Sequence, residues 1–336
     1  MSTIALCTFV ADASAQSSVT VFGVMDLALR QTHVSGTSHS TTLASGGLAG
    51  SRFGVRGAED LGGGLAASFW LEADVAADTG ATVASAFWSR RSTVSLSSAD
   101  WGELRLGRDY VPIFARQYSF LSPFGPNGVA SNGNLFFGPP SLLGSGSGGG
   151  VRTDNMLKYV LPPDLGGLYG EVMASMAEGR NENRHRGGVI GYAAGPLMVN
   201  AGFGRTDDVA GRDAIRLTTL GAAYDAGWAK FMALVQRASY GARRQTTVEV
   251  GAAVPLAGGS LKASLRRADQ SGAGTEANDA RQLSLGYVYA LSKRSSLYGS
   301  FSRIDNQGAQ TFGLGGTVPP AGRGVRGLEL GINHLF

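Results

Sequence analysis

Apolar and polar residues alternate along most of this chain, in short segments that end at turns. In residues 19–30, one face of an extended strand carries Val19, Val21, Met25, Leu27 and Leu29, and the other carries Thr20, Asp26 and Arg30. A period of two residues is typical of a β-strand with one apolar and one polar face. The pattern predicts sixteen strands, at 19–30, 51–57, 65–72, 87–97, 103–109, 152–161, 168–177, 187–193, 197–205, 214–224, 229–239, 246–254, 260–268, 281–290, 295–303 and 326–336.

The connections between these segments alternate in length. Seven short turns, such as 59–64 and 162–167, alternate with eight longer connections, so both ends of the chain lie on the short-turn side. Short turns opposite long loops are typical of transmembrane β-barrels, whereas a soluble β-sandwich has no need for one-sided loops. The sequence therefore predicts an all-β fold, a transmembrane antiparallel 16-stranded β-barrel. Its last strand must pair with its first, because an unpaired edge is too costly in hydrocarbon.

The longest segment without alternation is the third long connection, 111–151. It contains no Asp or Glu, one base at Arg116, and six aromatic residues. Exposing so many aromatic rings to solvent would be costly, and ordered loops of this length are usually functional. We therefore expect 111–151 to fold inward and to narrow a water-filled pore. The alternative is a flexible linker between domains, which only the Gly/Ser-rich part 145–150 resembles.

Composition supports a single exported domain. The 336-residue chain is 43% hydrophobic and has a net charge of +4, and no run of 18 apolar residues suggests a transmembrane helix. Residues 1–15 end in Ala-Ser-Ala and are predicted to be a signal peptide, which leaves one barrel domain at 16–336. This signal lacks a basic start, so an ordinary N-terminal strand is the alternative. Its removal would take away Cys7, the only cysteine, which suits an oxidising compartment.

Several segments resemble the Gram-negative general porins, most closely the trimeric porins of β-proteobacteria. Each segment is modest alone, but their order and spacing are specific. The resemblance implies a homotrimer in outer-membrane lipids, an inward-folded third external loop, and passive diffusion of small hydrophilic solutes and ions. It also implies that the C-terminal Phe336 is the assembly signal read by the barrel-assembly machinery. The matching segments are SSVTVFGVMD (17–26), SRFGVRGAEDLGGGL (51–65), GELRLGRDY (102–110), RTDNMLKYVLP (152–162), YVYALSKRSSLYGSF (287–301) and GLELGINHLF (327–336).

The resemblance also identifies candidate constriction residues. The family places basic side chains on the wall opposite the inward loop, and Arg52, Arg90 and Arg152 lie at matching positions. Strict alternation turns Arg91 inward instead, so the choice between Arg90 and Arg91 stays open. Many relatives carry acids near a Pro-x-Phe-Gly element of the loop, whereas the matching segment here, SPFGPNG (122–128), has none. A basic wall that faces a neutral loop should favour anions.

Alternation places further charged side chains on the polar face of the strands. Arg56 shares this face with Arg52, and Arg105 shares it with Glu103, with which it could pair. Arg116 would either line the pore or brace the loop. Arg56, Arg105 and Arg116 therefore join the candidates for the constriction. The remaining predicted pore-lining residues are Arg30, Asp26, Glu72, Glu103 and Lys158.

Signals for other kinds of function are weak. The four histidines form no cluster with metal-ligand spacing and no nucleophile motif accompanies them, so we expect no enzyme activity, no metal and no cofactor. A Gly-x-Gly-x-x-Gly match at 322–327 follows no strand, and the scattered bases accompany no nucleic-acid-binding motif. A substrate-specific anion channel is the main alternative to a general porin. A surface adhesin or a barrel lipase that uses the external loops is a further one.

Overall fold

A computed structural model describes residues 18–37, 39–84, 86–137, 150–176, 184–207 and 213–336. The expected signal segment 1–15 and residues 138–149 of the long loop lie outside this part. Eighteen β-strands occur in the described part, and their pairings are antiparallel. They are β1 (Ser18–Val34), β2 (His39–Ser45), β3 (Arg52–Gly62), β4 (Leu65–Ala76), β5 (Ala81–Thr82), β6 (Arg91–Ser98), β7 (Gly102–Tyr110), β8 (Arg152–Val160), β9 (Leu168–Ser175), β10 (His185–Ala194), β11 (Leu197–Asp207), β12 (Ala214–Asp225), β13 (Lys230–Tyr240), β14 (Arg243–Leu256), β15 (Gly259–Ser271), β16 (Ala280–Ala290), β17 (Ser295–Asn306) and β18 (Val325–Leu335).

The wall closes on itself, because β1 pairs with β18 on one side and with β2 and β3 on the other. The predicted 16-stranded antiparallel barrel is confirmed. β2 and β3 share one position in the wall, since both pair with β1 and follow one another across residues 46–51. β5 pairs with β4 alone, as a short hairpin beyond the wall. Sixteen wall positions remain.

Strand bounds differ from the sequence prediction at several points, and two of them affect the later argument. The connection between the first two predicted strands, 31–50, contains β2, which gives the long β1 a partner along its second half. The strand predicted at 87–97 begins only at Arg91, so Arg90 lies just before it. Alternation alone could not show either boundary, because polar residues also occupy strand ends.

The two faces of the wall differ as the alternation predicts. In β18, Leu330 is 59% exposed and its neighbour Glu329 is 1% exposed. The exposed positions carry Leu, Val, Ile and Phe around the barrel, and the other face carries most of the buried polar residues. Apolar residues therefore face outward and polar residues inward, which is the arrangement that a barrel in lipid requires.

The C-terminus takes part in the closure. The backbone N–H of Gly23 donates to the carbonyl of Phe336 at 3.0 Å, and the N–H of Phe336 donates back at 3.2 Å. The Phe336 ring covers Gly23 so closely that a Cβ at this position would collide with it. The closing seam thus includes the last residue of the chain.

The described part of the long loop, 111–137, contains a π-helical turn at Phe114–Tyr118 and a short helix at Gly133–Phe136. None of the described helices is long and apolar enough to cross a membrane. The buried residues Ile113, Tyr118 and Leu121 pack with inward-facing side chains such as Met173 and Leu234. The loop therefore lies against the inner face of the wall, and the aromatic content that argued against a linker contributes to this packing.

Candidate pore constriction

A cavity of about 650 Å³ lies between the wall and the loop. Four basic residues line it from the wall, namely Arg52, Arg90, Arg152 and Lys262. The loop side is formed by aromatic, proline and small polar residues between 114 and 137. Within the described part of the chain, no carboxylate lines this cavity. We call it the basic cavity.

Arg90 is the most firmly held of these bases. Its Nε donates to Glu72 Oε1 and its Nη1 to Asp74 Oδ1, both at 2.5 Å, and its Nη2 donates to Tyr110 Oη at 2.5 Å. Both carboxylates come from β4. Arg90 is thus a fixed charge whose field is largely offset by two neighbouring acids.

Arg152 and Arg52 are less compensated. Arg152 stacks on the Tyr110 ring, with its guanidinium carbon 4.4 Å from the ring centroid, and its Nη2 donates to Tyr110 Oη at 2.7 Å. Arg152 forms no ion pair with any described residue. Arg52 has one distant contact, 3.9 Å from Nη1 to Glu72 Oε1. Tyr110 therefore holds Arg90 and Arg152 at the edge of the cavity through its hydroxyl, and it adds no acid that would neutralise Arg152.

Lys262 on β15 was missed by the sequence reading. Its side chain lies on the same inward face as Ser264 and Arg266, and none of the described acids pairs with it. The alternation in 260–268 could have revealed it, because Leu261 and Leu265 mark the outward face. Together, four bases and two nearby carboxylates leave the basic cavity with an excess of positive charge.

The loop is fastened to the wall by buried polar contacts. Gln117 Nε2 donates to Asn200 Oδ1 at 2.8 Å, and Tyr118 Oη donates to Gln236. Burial raises the pKa of the Tyr118 phenol, so the hydroxyl stays protonated and available as a donor. The backbone N–H of Val129 donates to Glu329 Oε1 at 3.1 Å. These contacts reach from β11 to β18, so they hold the loop across half of the barrel.

One buried ion pair anchors the middle of the loop. Arg266 Nη2 lies 2.8 Å from Glu249 Oε1, and both side chains are fully buried. Arg266 Nη1 donates to the carbonyls of Ala130 and Ser131 at 3.1 and 3.2 Å, and Ser122 Oγ donates to Glu249 at 2.8 Å. Sequence reasoning missed this pair, since nothing in the alternation distinguishes a pore-lining Arg from one that a loop covers.

Glycines on the inner face make room for the loop. A Cβ on Gly251 would lie 2.6 Å from Pro123, and one on Gly286 would lie 2.8 Å from Phe124. Real Cβ atoms essentially never approach other atoms so closely. The loop therefore depends on small residues at these two points of the wall.

A second charged cluster contains other predicted site residues. Arg105 Nη2 lies 2.8 Å from Glu103 Oε2, and its Nη1 lies 2.6 Å from Asp109 Oδ2. Arg91 Nε lies 3.9 Å from Asp109 Oδ1, and its guanidinium carbon is 4.5 Å from the Trp70 ring centroid. The structure thus places Arg91 and Arg105 together in an acid-rich group, while Arg90 lines the basic cavity.

Lys158 and Arg116 are held by the same carboxylate. Lys158 Nζ lies 3.3 Å from Glu171 Oε1 and 3.1 Å from Asp109 Oδ2, and Arg116 Nε lies 2.8 Å from Glu171 Oε2. Lys158 is only 1% exposed, so the expectation that it lines the pore is corrected: its charge is buried and paired. Arg116 braces the loop against β9, one of the two roles expected for it.

Asp26 and Arg30 on β1 are also engaged in contacts. Asp26 is fully buried and accepts hydrogen bonds from the backbone N–H groups of Gly47, Leu48 and Ala49. Its predicted place in the pore lining is therefore corrected, because the chain between β2 and β3 covers it. Arg30 Nη2 lies 3.1 Å from Glu329 Oε2.

The remaining predicted residues, Arg56 and Glu72, differ in exposure. Arg56 is exposed, with its guanidinium carbon 5.3 Å from the Phe22 ring centroid and 4.9 Å from that of Trp70. Glu72 is buried and holds Arg90, so the prediction that it lines the pore is corrected as well.

Comparisons with known proteins show relatives along nearly the whole chain. A family model described as Gram-negative porin matches residues 2–309. Outer membrane porin protein 32 of Delftia acidovorans is 36% identical to this chain, in an alignment that covers 96% of this chain and 95% of the relative.

Solved structures share the fold. The anion-selective porin from Comamonas acidovorans is 34% identical, with a TM-score of 0.85 and coverage of 96% of this chain and 100% of that one. OmpT of Vibrio cholerae is 15% identical, with a TM-score of 0.71 and coverage of 96% and 100%. The second likeness concerns the fold alone.

Proposed function

The chain belongs to the Gram-negative porin family, and from that premise we propose that its basic cavity is the constriction at which solutes are filtered by size and charge. The protein is an outer-membrane channel for passive diffusion and not an enzyme. Small hydrophilic solutes and ions would move through the water-filled barrel down their own gradients. The filter would favour anions.

The observation that carries this proposal is the unequal charge on the two sides of the basic cavity. The wall supplies four bases, and the loop segment 111–137 has no acid to oppose them. Rings of Arg or Lys suit anion pores, since they attract anions and repel cations. The related porin from Comamonas acidovorans is described as anion-selective, which agrees with this proposal.

The filter would work through fixed charges and require no chemistry. Stacking on Tyr110 and pairing with carboxylates hold Arg152 and Arg90 in place, so little reorganisation accompanies the passage of an ion. In a water-filled cavity each charge would contribute a modest energy, and binding would stay weak enough for rapid exit.

Charge reversal at two of these bases tests the proposal. In the double variant Arg52→Glu/Arg152→Glu, the excess charge of the cavity becomes negative, so the reversal potential in a planar bilayer across a KCl gradient should move toward that of a cation channel. Size exclusion of neutral sugars should change little. An unchanged ion selectivity would overturn the assignment of the basic cavity as the filter.

A substrate-specific anion channel is a second candidate, favoured by the aromatic side chains at the cavity. Phe114, Phe120, Phe124 and Phe137 line it together with the four bases, a combination that suits aromatic carboxylates. Saturable flux of an aromatic carboxylate such as benzoate, with block of chloride current at low concentration, would support this candidate. Linear flux and no block would leave the general diffusion channel.

We also propose that the barrel works as a homotrimer in outer-membrane lipids, and that Phe336 carries the signal for the barrel-assembly machinery. Family resemblance and the place of Phe336 in the closing seam support these proposals. A mass near three protomers in mild detergent would test the first. The fraction of barrels folded in cells that express the chain without Phe336 would test the second.

A further inference from the structure

A row of stacked aromatic rings leads from the basic cavity into the long loop. Arg152 on β8 is directly opposite Tyr110 on β7, and its guanidinium carbon lies 4.4 Å from the Tyr110 ring centroid. The Tyr110 ring lies nearly parallel to that of Phe114, with 2° between the ring planes and 4.9 Å between the centroids. Phe114 stacks in turn on Phe137, with 5.8 Å between the centroids. The row thus begins at a base of the filter and continues into both halves of the loop.

The row continues to another part of the wall. The Tyr118 ring meets that of Phe137 edge to face, with 5.2 Å between the centroids, and its hydroxyl donates to Gln236 Oε1 on β13. Gln236 Nε2 donates to the carbonyl of Phe136 at 2.9 Å. Gln236 therefore holds both halves of the loop at this end. We call the whole row the aromatic beam, which consists of Arg152, Tyr110, Phe114, Phe137, Tyr118 and Gln236.

The beam passes through the interior of the barrel. Six neighbouring strand pairings lead along the wall from β7 to β13, whereas the beam joins these strands directly. Its middle is tightly packed, since Phe114 and Tyr118 are buried in the π-helical turn and Asn132 Nδ2 donates to the carbonyl of Tyr118 at 2.7 Å. Aromatic side chains have few torsions, and stacked or edge-to-face contacts restrict them further. A displacement at one end is therefore passed to the other.

Packing of the loop does not account for the cavity end of the beam. Arg152 forms no ion pair with any described residue, and its Nε is buried without a hydrogen-bond partner among them. Its support comes from Tyr110, through the ring stack and through the hydrogen bond from Nη2 to Tyr110 Oη. The place of the guanidinium in the cavity thus depends on Tyr110, and the place of Tyr110 depends on the ring stacked against it.

We propose that the aromatic beam makes Gln236 a positioning residue for the charge filter, because its contacts at β13 set where Arg152 presents its charge. This inference rests on the function proposed above for the basic cavity. Gln236 carries no charge and is not among the described residues that line the cavity, so it acts on permeating ions only through the side chains that it holds. Such a link between distant groups is established by measured coupling and not by proximity.

The test compares two buried glutamines that hold neighbouring parts of the loop. Gln236→Met removes the contacts with Tyr118 and Phe136. Gln245→Met, on β14, removes a hydrogen bond of the same length, 2.9 Å, from Nε2 to the carbonyl of Leu135. Each substitution keeps a side chain of similar size and leaves a buried loop carbonyl unpaired. Gln245 forms no hydrogen bond with the beam in the described structure, so it is the matched control.

The ratio of anion to cation permeability is obtained from reversal potentials across a KCl gradient, in the wild type and in an Arg152→Gln background. Gln236→Met should lower this ratio about threefold, a factor usual for coupling within one contact network, because a guanidinium that swings away from the cavity contributes less of its charge. Gln245→Met should leave the ratio unchanged at a similar loss of stability in denaturant. In the Arg152→Gln background, Gln236→Met should have no further effect on the ratio.

Tyr118→Phe provides a milder variant at the same end of the beam. It keeps the ring and removes only the hydroxyl that donates to Gln236, so it should lower the ratio in the same direction and repeats the test if Gln236→Met does not fold. Equal ratios for the Gln236 and Gln245 variants, or an effect of Gln236→Met that persists without Arg152, would overturn the proposal. A fall with Arg152→Gln but none with Gln236→Met or Tyr118→Phe would refute the beam alone. If Arg152→Gln itself left the ratio unchanged, the basic cavity would not be the filter and both proposals would fail.

Discussion

Lys262 gives the sharpest test of the charge filter, because no described acid pairs with it. The substitution Lys262→Gln keeps a side chain of similar length and removes one charge from the basic cavity. Lys293→Gln removes the same charge from the exposed turn between β16 and β17, so it is the matched control. Both variants should fold, since neither side chain forms an ion pair in the described structure.

The expected effect follows from the size of the cavity. A sphere of about 650 Å³ has a radius of about 5 Å, so an ion at its centre would lie about 6 Å from the ammonium group, where Coulomb's law in water gives roughly 0.7 kcal/mol. This changes the local concentration of each monovalent ion about threefold, in opposite directions for anions and cations. The anion-to-cation permeability ratio should therefore fall about tenfold at low salt. Screening over a Debye length of about 10 Å reduces this to roughly fourfold at 0.1 M.

The assay is the reversal potential of single channels in a planar bilayer, measured across KCl gradients at low and at moderate salt. Lys262→Gln should lose chloride preference, and more so at low salt, while Lys293→Gln should match the wild type. Lys262→Arg should retain the wild-type ratio. If Lys262→Gln and Lys293→Gln give the same ratio, the residue does not act on permeating ions and the electrostatic reasoning fails.

Three further substitutions test the loop and the closing seam. Arg266→Gln leaves the Glu249 carboxylate buried without its partner, which should lower the free energy of unfolding by about 3–5 kcal/mol. Because Arg266 also holds the loop, the current through the open channel should become noisier. Equal denaturant midpoints for the variant and the wild type would contradict this. Gly286→Val should push Phe124 and the loop into the pore and lower single-channel conductance, whereas Gly299→Val on the outward face should not; equal conductances would refute the seating of the loop on glycine. Deletion of Phe336 should reduce the yield of heat-resistant barrels in cells, and a normal yield would show that the seam forms without it.

Alternation predicted the barrel because lipid on one side and water on the other impose the same period on every strand. The sixteen wall positions and the outward Leu and Val residues followed from that period alone. Resemblance, rather than alternation, indicated Arg90, whose position just before β6 lies outside the period. Strand periodicity cannot describe a side chain that precedes the strand.

Burial by the loop could not be predicted in this way. Asp26, Lys158 and Arg266 all lie on the inward face, but the chain folds over them and their charges meet partners instead of water. Lys262 lies on that face too and remains at the cavity. Which inward charge stays accessible depends on the path of 111–137, and that path depends on long-range contacts that no local pattern encodes.

The most direct test of the charge filter is the reversal potential of the wild-type protein across a KCl gradient, in an electrically neutral bilayer. Because the basic cavity has uncompensated positive charge at Arg152 and Lys262, the potential should lie toward the equilibrium potential of chloride and should move closer to it as the salt concentration falls. A potential toward that of potassium would contradict the account, and would indicate that acids such as Glu103 control the passage of ions.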